Sequence, residues 1–90
     1  MLELQYSSDF KKDIKRAAFQ GRDIVKLFAP VALLLNSQPL PPQYRDHPLK
    51  GRLKNYRELH IEADWLLIYE ISNRMLTLIH AGTHAELFDS

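Results

Sequence analysis

The alternation of apolar and polar positions changes its period as the chain proceeds. Residues 2–6, LELQY, alternate one by one, which predicts a short first strand. Ser7 or Ser8 is a suitable N-cap for a helix to follow. In DFKKDIKRAAFQG, Phe10, Ile14, Ala17 and Ala18 fall on one helical face, with Lys11, Lys12, Lys15 and Arg16 on the others. Gly21 can close that helix in the left-handed conformation. A second helix begins near Arg22 and buries Ile24, Leu27, Phe28, Val31, Leu34 and Leu35, and so short a link implies an antiparallel hairpin. Pro30 removes a backbone hydrogen bond and crowds the preceding turn at a cost of about 3 kcal/mol. A kink or brief break is expected there, with PVALLLNS as a fresh helical segment.

Four prolines between Pro39 and Pro48 then fix an ordered, extended loop. From Leu53 the period becomes two. LKNYRELHIE sets Leu59 and Ile61 on one face and Tyr56, Glu58 and His60 on the other. DWLLIYEI is apolar enough for a central strand, SNR reads as a hairpin turn, and MLTLIHAG is the last strand before a short tail. The order β-α-α-β-β-β predicts an α+β fold, a helical hairpin packed on one face of an antiparallel sheet.

Composition narrows the class. Ninety residues with 46% hydrophobic and 26% charged side chains suit one globular domain spanning residues 1–90. The chain has no cysteine, so disulfides and thiolate metal sites are excluded, and a reducing cytoplasm is expected. The N-terminal MLELQYSSDFKK lacks the order of a signal peptide, and VALLL and WLLIY are too short to span a bilayer, so no membrane partner is expected. A net charge of +1 does not by itself announce nucleic acid. Its distribution says more: within residues 45–60, Arg45, Lys50, Arg52, Lys54 and Arg57 face only Asp46 and Glu58. All four histidines lie in the second half of the chain.

If the last three strands form a meander, His60, Asp64 and His84 come to neighbouring strand ends, and His47 can approach from the proline-rich loop. Imidazoles and a carboxylate so grouped can do acid–base work. A metal is the other use for such residues. His60-x₃-Asp64 and His80-x₃-His84 have ligand spacing only on a helix, and neither pair is helical here, so no metal or other cofactor is expected. His80, inside the last strand, reads as structural.

Three motifs, DHPLKG, YRELHIEADWLLIY and GTHAELF, stand in an order and spacing that resemble the YafQ-type branch of the RelE superfamily of bacterial toxins. The resemblance covers most of the chain and implies a compact RelE-like fold. It also implies ribosome-dependent cleavage of messenger RNA and inhibition by a cognate antitoxin, with operator DNA reached only through that antitoxin. The family's functional positions fall on His47, His60, Asp64, Trp65, His84 and Phe88. The chain departs from the pattern at Pro30, where the family's second helix is uninterrupted, and at His80, where arginine is common.

RNA can be cut when its 2′-hydroxyl attacks the adjacent phosphate without a metal, given a base, an acid for the leaving 5′-oxygen and positive charge on the phosphorane. The resemblance makes His84 the acid and His60 or Asp64 the base, or else gives Asp64 the task of orienting an imidazole. His47 would stabilise the phosphorane with Lys50, Arg52, Lys54 and Arg57. Trp65 and Phe88 would contact the RNA, Phe88 by stacking on a base. Plainer readings stand beside these: Asp64 as a turn residue, Trp65 as core, Phe88 docking the tail, and the basic run as a solvated loop. Two other functions use the same scaffold, a ParE-like toxin that binds gyrase without cutting, and an inactive module acting as an antitoxin-bound co-repressor. The basic face of the helical hairpin offers the antitoxin a landing surface.

Overall fold

The computed structural model describes residues 1–88. Strand β1 (Glu3–Tyr6) leads into helix α1 (Ser8–Phe19), and helix α2 (Ile24–Leu35) follows. A loop with two single 3₁₀ turns, Pro42–Tyr44 and Gly51–Leu53, carries a two-residue strand β2 (His47–Pro48). Strands β3 (Arg57–Glu62), β4 (Trp65–Ser72) and β5 (Met75–Gly82) form the meander, and a one-turn helix α3 (His84–Phe88) ends the described chain. The sheet order is β1-β5-β4-β3-β2. No helix is long and apolar enough to cross a membrane.

The expected α+β architecture is present, with four corrections. The sheet is mixed, because β1 pairs with β5 in parallel while β2, β3, β4 and β5 pair antiparallel. The chain returns to β5 through the meander, so β1 is placed at its edge with the same direction. The second correction is β2, too short to give an alternating pattern. The third concerns Pro30, which lies buried inside an uninterrupted α2. Its lost hydrogen bond costs about 3 kcal/mol. Leu27, Val31 and Leu34, on both sides of it, are buried in the core at roughly 1.5–3 kcal/mol each, and that burial wins. The fourth is on α1, where Ala18 is exposed and Asp13 is buried.

Ser7 is the N-cap of α1, its hydroxyl accepting the Phe10 N–H at 2.9 Å. Gly21, at φ 81°, makes the left-handed turn between the helices. On β4, Trp65, Leu67 and Tyr69 point toward the helices and join Phe10, Leu27, Val31, Leu59, Leu76 and Leu78 in the main core. Leu66 and Ile68 point the other way and are also buried, so β4 is covered on both faces. That second face carries the candidate site.

A bulge falls between Ile68 and Tyr69, whose partners on β5 are His80 and Leu78. The extra residue, Ile79, shifts the phase of β5. Leu76 and Leu78 face the core, and so does Ala81, while His80 opposes Ile68 on the other face. Strict alternation would have turned His80 inward.

The β4–β5 hairpin turns on Asn73 and Arg74, both at positive φ (54° and 63°). A two-residue turn of this kind favours Asn-Gly, because a side chain at the second position is strained. Arg74→Gly is therefore expected to raise stability by about 0.5–1 kcal/mol, measured as a higher urea midpoint with an unchanged slope.

Candidate active site

The face of the sheet away from the helices has Leu66 and Ile68 as its floor. Antiparallel register sets Glu58 opposite Ile68, and His60 opposite Leu66. It also sets His47 opposite Glu58, so the short strand β2 delivers His47 to the same face. The β5 strand leaves the sheet at Gly82, opposite Leu66, and turns into α3, whose first residue is His84. Three imidazoles distant in sequence thus meet. The ring of His60 lies 6.2 Å from that of His47 and 5.8 Å from that of His84, centroid to centroid.

Carboxylates hold the cluster from two sides. Asp64, in the β3–β4 turn, accepts the His84 backbone N–H at 2.9 Å and sits 2.7 Å from His84 Nδ1. The backbone hydrogen bond first, and the ring contact second, hold the Asp64 carboxyl below the ordinary aspartate range. Asp64 is thus an anion that orients His84, with Nδ1–H toward the carboxylate and Nε2 turned to solvent. Both groups are more than half exposed. Glu58 sits on the opposite flank with its side chain 7% exposed, one oxygen 3.4 Å from His47 Nε2 and 3.6 Å from His60 Nε2. His60 Nδ1 is buried and has no hydrogen-bond partner among the described residues.

The loop bearing His47 is pinned by its neighbour. Asp46 accepts two hydrogen bonds from Arg57, at 2.9 and 3.2 Å, and another from the Tyr69 hydroxyl. Burial is the main reason the Tyr69 phenol is pushed far above its ordinary range, so it remains a neutral donor to Asp46. His47 Nδ1 lies 2.7 Å from the Arg45 carbonyl, which gives the ring a second tether.

Not every residue expected at the site is there. Trp65 is 1% exposed and packed in the main core beneath Arg22, whose guanidinium lies 5.3 Å from the ring centroid. It cannot stack on RNA; its neighbour Asp64 is in the turn, and β4 alternation sends the indole inward. Arg57 spends its guanidinium on Asp46, which makes it an anchor of the His47 loop rather than a free phosphate ligand. Lys50, Arg52 and Lys54 are exposed on the loop above the face. Phe88 is 47% exposed and lines a cavity of about 400 Å³ with Leu53, Tyr56, Ile68 and His80. His80 Nδ1 lies 3.1 Å from Asp13, so this histidine is already engaged with a carboxylate.

Glu58 was missed as a site residue, although it alternates with His60 on the polar face of its strand; only the pairing of β2 with β3 shows that two imidazoles converge on it. That trio is also the set of described residues that could hold a metal, with donor atoms within 4.8 Å of one another. Two imidazole nitrogens and one carboxylate oxygen suit copper or zinc. Asp64, His80 and His84 are not in that set.

Comparison with known proteins agrees with this fold. The family model for the bacterial toxin YafQ of type II toxin–antitoxin systems matches residues 2–89. The mRNA interferase toxin YafQ of Escherichia coli K12 is 44% identical over 87 residues, covering 96% of this chain and 95% of the relative. The E. coli DinJ–YafQ complex contains a chain 43% identical, with a TM-score of 0.90 over 98% of this chain and 99% of that one. A copper-bound mutant toxin from Helicobacter pylori is 39% identical, with a TM-score of 0.94 over 98% of this chain and all of that one. The imidazole cluster, the sheet that assembles it and these matches place this chain in the YafQ family of bacterial toxins of type II toxin–antitoxin systems.

Proposed function

We propose that this protein is an endoribonuclease toxin that cuts messenger RNA on the ribosome, in the cytoplasm, until a cognate antitoxin restrains it. The observation that carries this reading is the convergence of His47, His60 and His84 on one face, with Asp64 fixed on the His84 ring. The names mRNA interferase toxin and DinJ–YafQ complex, borne by E. coli relatives, support the reaction class and the antitoxin. Operator DNA is reached only through that antitoxin. A gyrase-binding toxin or a co-repressor would have no use for such a cluster.

The chemistry follows from the charges. His84, as imidazolium, keeps Nδ1–H on Asp64 and offers its Nε2 proton to the departing 5′-oxygen. Asp64 is occupied by two hydrogen bonds and is a weak base, so His60 takes the proton of the attacking 2′-hydroxyl. Glu58, between His47 and His60, pairs with whichever ring is protonated. His47, Lys50, Arg52 and Lys54 meet the charge of the phosphorane, and Phe88 stacks on a neighbouring base. No metal is required by these steps. A copper or zinc ion on His47, Glu58 and His60 would withdraw His60 from proton transfer and His47 from the phosphorane.

Four outcomes test this on programmed ribosomes carrying a defined transcript. His84→Ala is expected to slow cleavage about 10²–10⁴-fold, read by end-mapping the RNA; an undiminished rate removes the acid. Asp64→Asn is expected to slow it roughly tenfold to a hundredfold through misorientation. Because the Asp64 pKa is lowered, its anion persists below its ordinary value of 3.8, and its hold on His84 is lost only as pH falls through the lower folded-state value. The wild-type pH–rate profile is therefore expected to lack an aspartate limb above about pH 4. Micromolar copper(II) is expected to stop cleavage and a chelator to restore it, while the chelator alone leaves the rate unchanged; loss of activity on chelation contradicts a metal-independent cut.

A further inference from the structure

His84 opens a helix of five residues, far too short to be stable by itself. Its contacts with Asp64 are solvent-exposed, and exposed ionic contacts contribute little to order. Something else must hold this end of the chain. The Glu86 N–H donates to Thr83 Oγ1 at 3.1 Å, and the Thr83 N–H donates to Glu86 Oε1 at 2.9 Å. This reciprocal pair is a capping box, which satisfies two otherwise open donors at the start of α3.

Glu86 also reaches outward. Its second oxygen lies 3.2 Å from Arg16 Nε on α1 and accepts from Nε2 of Gln20, the C-cap of α1, at 3.3 Å. Arg16 in turn donates from Nη2 to the Ala81 carbonyl at 3.0 Å and lies 3.4 Å from Asp13. One carboxylate therefore joins the cap of α3 to α1, and one guanidinium joins both to the edge of β5. The Thr83 N–H, before any other group, holds the Glu86 carboxyl below its ordinary range, so it is an anion at neutral pH.

Gly82 makes room for this. A Cβ built there would stand 2.9 Å from Arg16 Nη2, 3.0 Å from Glu86 Oε1 and 3.2 Å from Glu86 Cβ. The two closest atoms are the ends of flexible side chains, so a methyl group would displace the clamp rather than break the fold.

We propose that the Thr83–Glu86 capping box, tied across Gly82 to Arg16 on α1 and to its C-cap Gln20, is a positioning device that holds the His84 ring against Asp64 for proton delivery. The proposal rests on the reading of His84 as the general acid. These residues act through His84, and a displacement near 1 Å at a reacting group costs about 10²-fold in rate.

The test measures maximal cleavage rate and half-saturating ribosome concentration for the wild type, His84→Ala, Glu86→Ala, Gly82→Ala, Thr83→Val and Thr83→Ser. Glu86→Ala, Gly82→Ala and Thr83→Val are expected to lose about tenfold or more in maximal rate with half-saturation changed by less than about twofold, the sign of a lost transition-state contact. Thr83→Ser keeps the hydroxyl and is expected to restore the rate to within about threefold of wild type. In NMR spectra, the proton shared by His84 Nδ1 and Asp64 should vanish in the three slow variants and persist in Thr83→Ser. Thermal melting checks folding; should Glu86→Ala unfold, Gly82→Ala and Thr83→Val carry the comparison. Wild-type rates in the folded clamp variants beside an inactive His84→Ala overturn the clamp alone. An active His84→Ala, or an inert wild type, overturns the acid assignment and the clamp with it.

Discussion

Among the described residues no strand lies beside the outer edge of β5 beyond Leu78, and the first helix supplies what a strand would. β1 pairs with β5 only as far as Tyr6 and Leu78. The Ser7 hydroxyl donates to the Ile79 carbonyl at 2.6 Å, Asp13 accepts the Ala81 N–H at 3.0 Å, and Arg16 donates to the Ala81 carbonyl. Each buried backbone group left without a partner would cost roughly 1–3 kcal/mol. This substitution explains why Asp13 is buried on an otherwise apolar face. It also fixes where β5 can end, and therefore where His84 begins.

The face that carries the imidazoles depends on that edge and on a second one. At the far side of the sheet, two residues of β2 bring His47 to Glu58, and the Asp46–Arg57–Tyr69 contacts keep the loop in register. Between the two edges, Leu66 and Ile68 form a dry floor beneath the polar groups. The bulge at Ile79 divides labour along β5, sending Ala81 to the core and His80 to the other face. A bulge beside a reactive site is a common way to redirect one side chain without changing the sheet.

Much of this was legible in the sequence, because local signals and tertiary packing agree there. Ser7 as cap, the left-handed Gly21, the apolar run of β4 and the SNR turn each act over a few residues. The convergence of His60 and His84 was also legible, through strand order and motif. What failed was non-local. Pro30 predicts a break from backbone chemistry alone, and only the burial of Leu27, Val31 and Leu34 overrides it. Trp65 was placed with its neighbour Asp64, yet alternation puts adjacent strand residues on opposite faces. Glu58, Asp46 and Arg57 owe their roles to a two-residue strand that no periodicity reveals, and Asp13 to an edge that only the assembled sheet defines.

The cluster is assembled from three separate stretches of chain, the loop at His47, the strand at His60 and the helix opened by His84. None of these carries all three imidazoles alone. A polypeptide still being synthesised therefore has no such arrangement until residue 84 has emerged and folded back onto the sheet. The last of the three imidazoles to be made is thus the one that completes the face.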